Sequence, residues 1–318
     1  MVLAVLSRTP RLAKLVQSLQ VGSGGEHLQE LEMVFLHLSN LTDFRILLQT
    51  TGYQALATLR TLFTKHAALH PQPGLRTFAL RMDTSALEEW PTDLTQRVFL
   101  GLLSSLPPTI DSLILDCPPI TLRFIHEVNF SLTNLHLSQR HFDRSLFDHL
   151  TQRSQATLSS LIFETPYYSE FNPEFFEAAW ERPGESCLTG EILESFERFP
   201  LRTLGFLGFE YEESSDIISA LAKLPSSIRT LKLPDGFDVL RFLESESCPK
   251  LSQLNICGDH GSDPWYPALE MRDQIKQAGA RRGIFLVPCK AWEVLDPEEL
   301  EEGEDEEKEG EESEEDGF

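Results

Sequence analysis

LRTLGF at 201–206, IRTLKL at 228–233 and LSQLNI at 251–256 repeat one six-residue pattern, apolar at its first, fourth and sixth positions. Apolar residues two apart at the fourth and sixth positions predict a strand with one face buried. A proline stands before each copy: Pro200, Pro225 and Pro249. Proline lacks a backbone donor and disfavours helix in the residue before it, so helix, proline, strand is a physical punctuation. The three copies predict a solenoid, each unit one strand and one helix.

Working outward from them, the pattern recurs as VQSLQV at 16, LTDFRI at 41, LRTFAL at 75, IDSLIL at 110, LTNLHL at 132 and LSSLIF at 158. Successive starts lie 22 to 43 residues apart. The shorter intervals match the spacing of a leucine-rich repeat, and the longer ones imply inserted loops or helices. IFLV at 284–287, after Gly283, predicts a last edge strand. Between strands the apolar period changes to about 3.6, as at Val98, Phe99, Leu102, Leu103 and Leu106, or Ile217, Ile218, Leu221 and Leu224, which predicts helix faces. The expected fold is therefore an α/β leucine-rich repeat solenoid. Residues 1–290 form a curved parallel sheet of about nine to ten short strands with helices on its outer face, and an acidic disordered tail fills 291–318.

The formal charge of −23 is concentrated in that tail. Residues 296–318 hold fifteen Asp or Glu and one Lys, which is −14, and the other residues balance 26 basic against 35 acidic side chains. The body lacks the excess of base that nucleic-acid binding needs, so no nucleic acid is expected as a partner. Five cysteines at wide spacings form no CxxC pair, so neither a disulfide framework nor a zinc site is expected. Free thiols suit the cytoplasm or nucleus, and no apolar run approaches a membrane span. The opening MVLAVLSRTPRLAKLVQSLQ is basic and amphipathic, as a transit peptide is. A first repeat explains both its helical spacing and VQSLQV.

Motifs for chemistry are sparse. VGSGGEH at 21–27 lacks the third glycine of a dinucleotide-binding turn and reads as a flexible loop. His66 and His70 stand four apart on a predicted helix with no third ligand near in sequence, and read as two exposed histidines. Neither HExxH nor GxSxG occurs, and Asp259 and His260 are neighbours in sequence without triad geometry. No enzyme activity, catalytic residue, cofactor or metal is expected.

A ligand surface follows from the strand alternation. The residue between the fourth and sixth positions points away from the core, giving the ladder Gln20, Arg45, Ala79, Ile114, His136, Ile162, Gly205, Lys232 and Asn255. Its mixed and partly apolar character suits a protein ligand of unknown identity better than phosphate. The longest interval holds ETPYYSEFNPEFFEAAWERPGESCLTGE at 164–191, with five aromatics between Tyr167 and Phe176 and then Trp180, which reads either as an extra helix packed on the array or as a projecting contact loop, and DHGSDPWYP at 259–267, with Trp265, is a second loop candidate. The tail from Asp296 offers a second reading, contact with basic partners such as histones or import factors.

LSRTPRLAKLVQSLQV at 6–21, together with IRTLKL, CPKLSQLNI and RRGIFLV, resembles the leucine-rich repeat region of the F-box proteins abundant in fungi, over residues 1 to about 290. The resemblance implies substrate recognition for a ubiquitin ligase. No F-box is read within the chain, so a Skp1-type adaptor is expected as a partner only where an F-box lies upstream. The alternative is a leucine-rich scaffold resembling, in its acidic tail, nuclear repeat proteins or the Ran GTPase activators.

Overall fold

The computed structural model describes residues 2–23, 25–48, 53–70, 74–82, 93–116, 127–138, 144–164, 196–207, 224–234, 239–245, 248–257 and 269–287. Every copy of the six-residue pattern forms a strand. They are β1 (Ser18–Ser23), β2 (Asp43–Leu48), β3 (Thr77–Met82), β4 (Ser112–Asp116), β5 (Asn134–Ser138), β6 (Ser160–Glu164), β7 (Thr203–Leu207), β8 (Thr230–Pro234) and β9 (Gln253–Cys257). IFLV supplies β10 (Phe285–Val287). The ten strands form one open sheet in chain order, each parallel to the next. This is a solenoid-like α/β architecture, and β1 makes the opening stretch its first repeat.

The register keeps the pattern in phase along the whole sheet. Leu19 pairs with Phe44, and the row continues through Phe78, Leu113, Leu135, Leu161, Leu204, Leu231 and Leu254 to Leu286. From Leu19 to Leu254 every member is buried, and so is every sixth-position residue from Val21 to Ile256. A one-residue slip would turn all of them to the other face, so burial locks the register.

Each strand begins at the third residue of its pattern because the first two do other work. The first is buried from Leu41 onward, sealing the bottom of the core. The second presents its carbonyl to two N–H groups of the next repeat. Gln17 accepts from Thr42 and Asp43 at 2.8 and 3.0 Å, and Thr42, Arg76, Asp111, Thr133, Ser159, Arg202 and Arg229 do the same for their successors. Where this position is Ser or Thr, the hydroxyl donates to the preceding carbonyl as well: Thr42 to Gln17 at 2.9 Å, Thr133 to Asp111 at 3.0 Å, Ser159 to Thr133 at 3.2 Å and Ser252 to Arg229 at 3.1 Å.

Among the described residues the helices are α1 (Val2–Arg8), α2 (Pro10–Ala13), α3 (Gly25–Phe35), α4 (Tyr53–Leu69), α5 (Asp93–Ser105), α6 (Arg144–Thr151), α7 (Val239–Glu244) and α8 (Leu269–Arg281). Their apolar faces join the inner strand residues in one core. In α5, Phe99, Leu102 and Leu103 are buried as their spacing predicts, with Leu106 just beyond. The helix face predicted from Ile217, Ile218 and Leu221 lies outside the described residues. Two phenylalanine clusters lie within this core. Phe35, Phe44, Phe63 and Phe78 meet with centroids 5.2 to 6.2 Å apart, and Phe147, Phe163, Phe196, Phe199 and Phe206 meet at 5.7 to 6.2 Å. Arg198 lies over the Phe199 ring at 4.7 Å.

Two local expectations are corrected. Gly22 lies inside β1 and Gly25 opens α3, so these two glycines of VGSGGEH belong to a strand and a helix, not to a flexible loop. Nor are His66 and His70 a pair of exposed side chains. His66 is 5% exposed with Nε2 3.2 Å from the Leu38 carbonyl, and half-buried His70 places Nε2 3.1 Å from the Leu36 carbonyl. Residues 36 and 38 follow the end of α3, where carbonyls lack helical partners, and the two imidazoles supply donors there. Burial pulls the His66 pKa down, which favours the neutral ring.

Candidate functional site

The face of the sheet turned away from the core carries three rows of side chains, from the third, fifth and seventh places of the pattern. The fifth-place ladder is one continuous row: Gln20 pairs with Arg45, then follow Ala79, Ile114, His136, Ile162, Gly205, Lys232 and Asn255, and Val287 closes it. Neighbours in a parallel sheet stand about 4.8 Å apart, so ten strands extend the row over roughly 43 Å.

The N-terminal end of the row is more open than the rest. Gln20 and Arg45 are exposed, Ile114, His136, Ile162, Lys232 and Asn255 are half-buried, and Ala79 and Gly205 are buried. Gly205 is a notch between larger neighbours. A Cβ there would sit 3.3 Å from both Ile162 Cγ1 and Lys232 Cβ, tighter than ordinary contact. Near each end, a third-place side chain braces the fifth-place one on its own strand. Asp43 accepts from Arg45 Nε at 3.1 Å and from Nη2 at 3.1 Å, and Gln253 Nε2 donates to Asn255 Oδ1 at 2.7 Å. The Asp43 carboxylate holds the Arg45 guanidinium pKa above its ordinary value.

The chemistry is densest over β3 to β6, in a row the sequence reading did not single out. Arg81, Asp116, Ser138 and Glu164 occupy the seventh place on four consecutive strands and pair in that order. His136, one row below, brings Nε2 to 2.7 Å from Glu164 Oε2. Burial pushes the Asp116 carboxyl up to about 6. The Glu164 charge adds to the rise, while Arg81, a hydrogen bond with Ser138 and His136 oppose it. The period-two alternation, continued one step past the sixth position, would have found these residues. Three of the four are charged at one shared offset, on strands otherwise alternating with apolar side chains.

The row sets an imidazole–carboxylate pair beside a hydroxyl and a carboxyl raised by burial on adjacent strands. Among the described residues no group of three His, Cys, Asp or Glu is placed to hold a metal ion, and no helix is long and apolar enough to cross a membrane. Cys248 is buried, and burial raises its thiol to about 11, so it is held as the thiol rather than the reactive thiolate. Trp265, the aromatic segment 165–180, the 259–267 loop, the Asp259–His260 pair and the acidic segment 291–318 lie outside the described residues.

Compared with known proteins, the chain matches no family model and no curated protein.

Proposed function

We propose that this chain is a non-enzymatic protein-recognition module whose ligand is a protein segment laid across the outward face of the sheet. One observation carries the reading: ten strands hold their outward side chains in continuous register, with a different residue at almost every step. Apolar Ile114 and Ile162 flank His136, and the Arg81, Asp116 and Glu164 charges border them, which is the apolar centre and polar rim of a protein interface. A row of Lys or Arg suited to nucleic acid is absent from the described outward face.

The repeat spacing supports a leucine-rich repeat assignment, and the resemblance to F-box proteins supports substrate recognition for a ubiquitin ligase in the cytoplasm or nucleus. A Skp1-type adaptor belongs to this reading only where an F-box lies upstream in the same polypeptide. The test pairs two properties. Ile114→Arg and Ile162→Arg are each expected to abolish capture of the native ligand while leaving the thermal melt within a few degrees of the parent. Unchanged capture by both variants would overturn the face assignment. Failure of the native gene product to co-purify with a Skp1-type adaptor would overturn the ligase role alone.

A further inference from the structure

The β1 end of the array differs in charge from the rest of the chain. Residues 1–82 hold eight Lys or Arg against four Asp or Glu, which is +4, and the total of −23 leaves −27 for the others. Three of those cations, Arg8, Arg11 and Lys14, stand three apart on α1, α2 and the turn that follows, and all three are exposed. Four aliphatic side chains interleave with them and are left in water: Val2 at 66%, Val5 at 51%, Leu12 at 47% and Leu15 at 73% exposure. Leu3, Leu6 and Ala13 are buried in the core, so this stretch is docked on the fold and is not a free arm. The Thr9, Leu12 and Leu15 N–H groups donate to the Leu6, Thr9 and Leu12 carbonyls at 3.2, 2.9 and 2.9 Å, and Asn40 Nδ2 donates to the Lys14 carbonyl at 2.7 Å, which holds both helices in place.

The four acids of residues 1–82 do not neutralise these cations. Glu32 pairs with Lys65 at 3.1 Å, Asp43 pairs with Arg45 at 3.1 Å, and half-buried Glu30 is already partnered. Glu26 belongs to the first turn of α3, whereas Asn40, which touches Lys14, follows its last turn, and the eleven-residue helix puts about 16 Å between them. Among the described residues, Arg8, Arg11 and Lys14 make no ion pair. Acids of the later repeats act weakly here, because β4 stands about 14 Å from β1 and charge is screened beyond about 10 Å at 0.1 M salt.

Aliphatic side chains interleaved with cations fit the interface of a lipid bilayer, where the apolar groups enter the acyl boundary and the cations meet lipid phosphates. They fit a protein partner less well. Protein interfaces favour aromatics and deplete Lys, and residues 1–15 contain no aromatic. We propose that α1 and α2 seat the β1 end of the array on an anionic membrane surface, with Val2, Val5, Leu12 and Leu15 inserted and Arg8, Arg11 and Lys14 against the headgroups. The contact is peripheral, since no described helix is long and apolar enough to cross a bilayer. It needs both the aliphatic and the basic side chains, and it depends on anionic lipid. This inference is independent of the ligand proposed for the outward face.

Co-sedimentation of the full chain with lipid vesicles tests it. At about 0.1 M salt, vesicles of phosphatidylcholine with about 30% phosphatidylserine are expected to bind the chain about ten-fold more than phosphatidylcholine alone, and about 0.5 M salt is expected to release it. Arg8→Gln/Arg11→Gln/Lys14→Gln is expected to reduce binding to the phosphatidylcholine level, and Leu12→Ser/Leu15→Ser to weaken it about ten-fold. Should either variant fail to melt cooperatively, the single change Leu15→Asp and the salt series on the parent chain decide. Equal sedimentation with both kinds of vesicle, or none with either, would overturn the proposal. So would binding that both variants retain, because the lipid contact would then lie elsewhere on the chain. Self-association without vesicle binding, abolished by Leu12→Ser/Leu15→Ser, would give the surface to a second copy and overturn it as well.

Discussion

The two faces of the one sheet follow opposite rules. Facing the helices, all ten strands repeat a single chemistry, the row from Leu19 to Leu286, and neighbours differ only in whether they are leucine or phenylalanine. Facing away, no two adjacent strands present the same residue at the fifth place between Gln20 and Val287. A parallel solenoid separates the residues that build its core from those that face outward by parity alone. Positions four and six supply stacking energy, while five and seven change from strand to strand, held to a small residue where neighbours crowd, as at Gly205.

The largest break in that contrast comes from the inner row. Leu204 is fully buried between Leu161 and Leu231, so Leu204→Asp places an unpaired charge in the core and is expected to cost on the order of 5 kcal/mol, seen as loss of the cooperative urea transition. Phe78→Ala, also at the fourth place, empties a site stacked on Phe44 at 6.2 Å and edge-on to Phe63 at 5.2 Å. About 3 to 5 kcal/mol is expected, with the transition preserved at lower urea.

Asp116→Asn probes the outward face with the opposite sign. A carboxyl raised to about 6 in the folded chain favours folding fully below its ordinary value near 3.8, and that contribution is lost as pH rises through about 6. Removing the ionisation is expected to stabilise the chain at pH 7 by up to about 3 kcal/mol, less where water screens the group, and to flatten the stability profile between pH 4 and 6. A variant less stable than the parent at pH 7 would show that the hydrogen bond with Ser138 outweighs desolvation. The smallest effect belongs to Lys232→Ala: within about 0.5 kcal/mol in stability, with any loss confined to ligand capture.

How far the sequence could be read follows from the same parity. The inner rows and all ten strands were legible because burial demands an apolar residue at a fixed spacing, which VQSLQV at 16 obeys as IRTLKL at 228 does. The strand starts were legible only to within two residues, since the forked acceptor at the second place uses backbone atoms and leaves no mark on side-chain type. His136 lay on the predicted ladder, whereas Arg81, Asp116, Ser138 and Glu164 fell one place past the six-residue window. His66 and His70 misled because their partners, the carbonyls of Leu38 and Leu36, belong to the preceding repeat, beyond any local pattern.

The forked carbonyls from Gln17 to Arg229 also determine how the molecule yields to force. The line from first to last strand runs along the inter-strand hydrogen bonds, so tension between the ends loads one joint at a time rather than shearing many together. Extension should therefore proceed in discrete steps. Their lengths are set by the chain stored between joints, 22 residues at the shortest interval and 43 at the longest. At about 3.5 Å per residue the smallest step is roughly 8 nm and the largest roughly 15 nm, a mechanical signature written by the loops and timed by the joints.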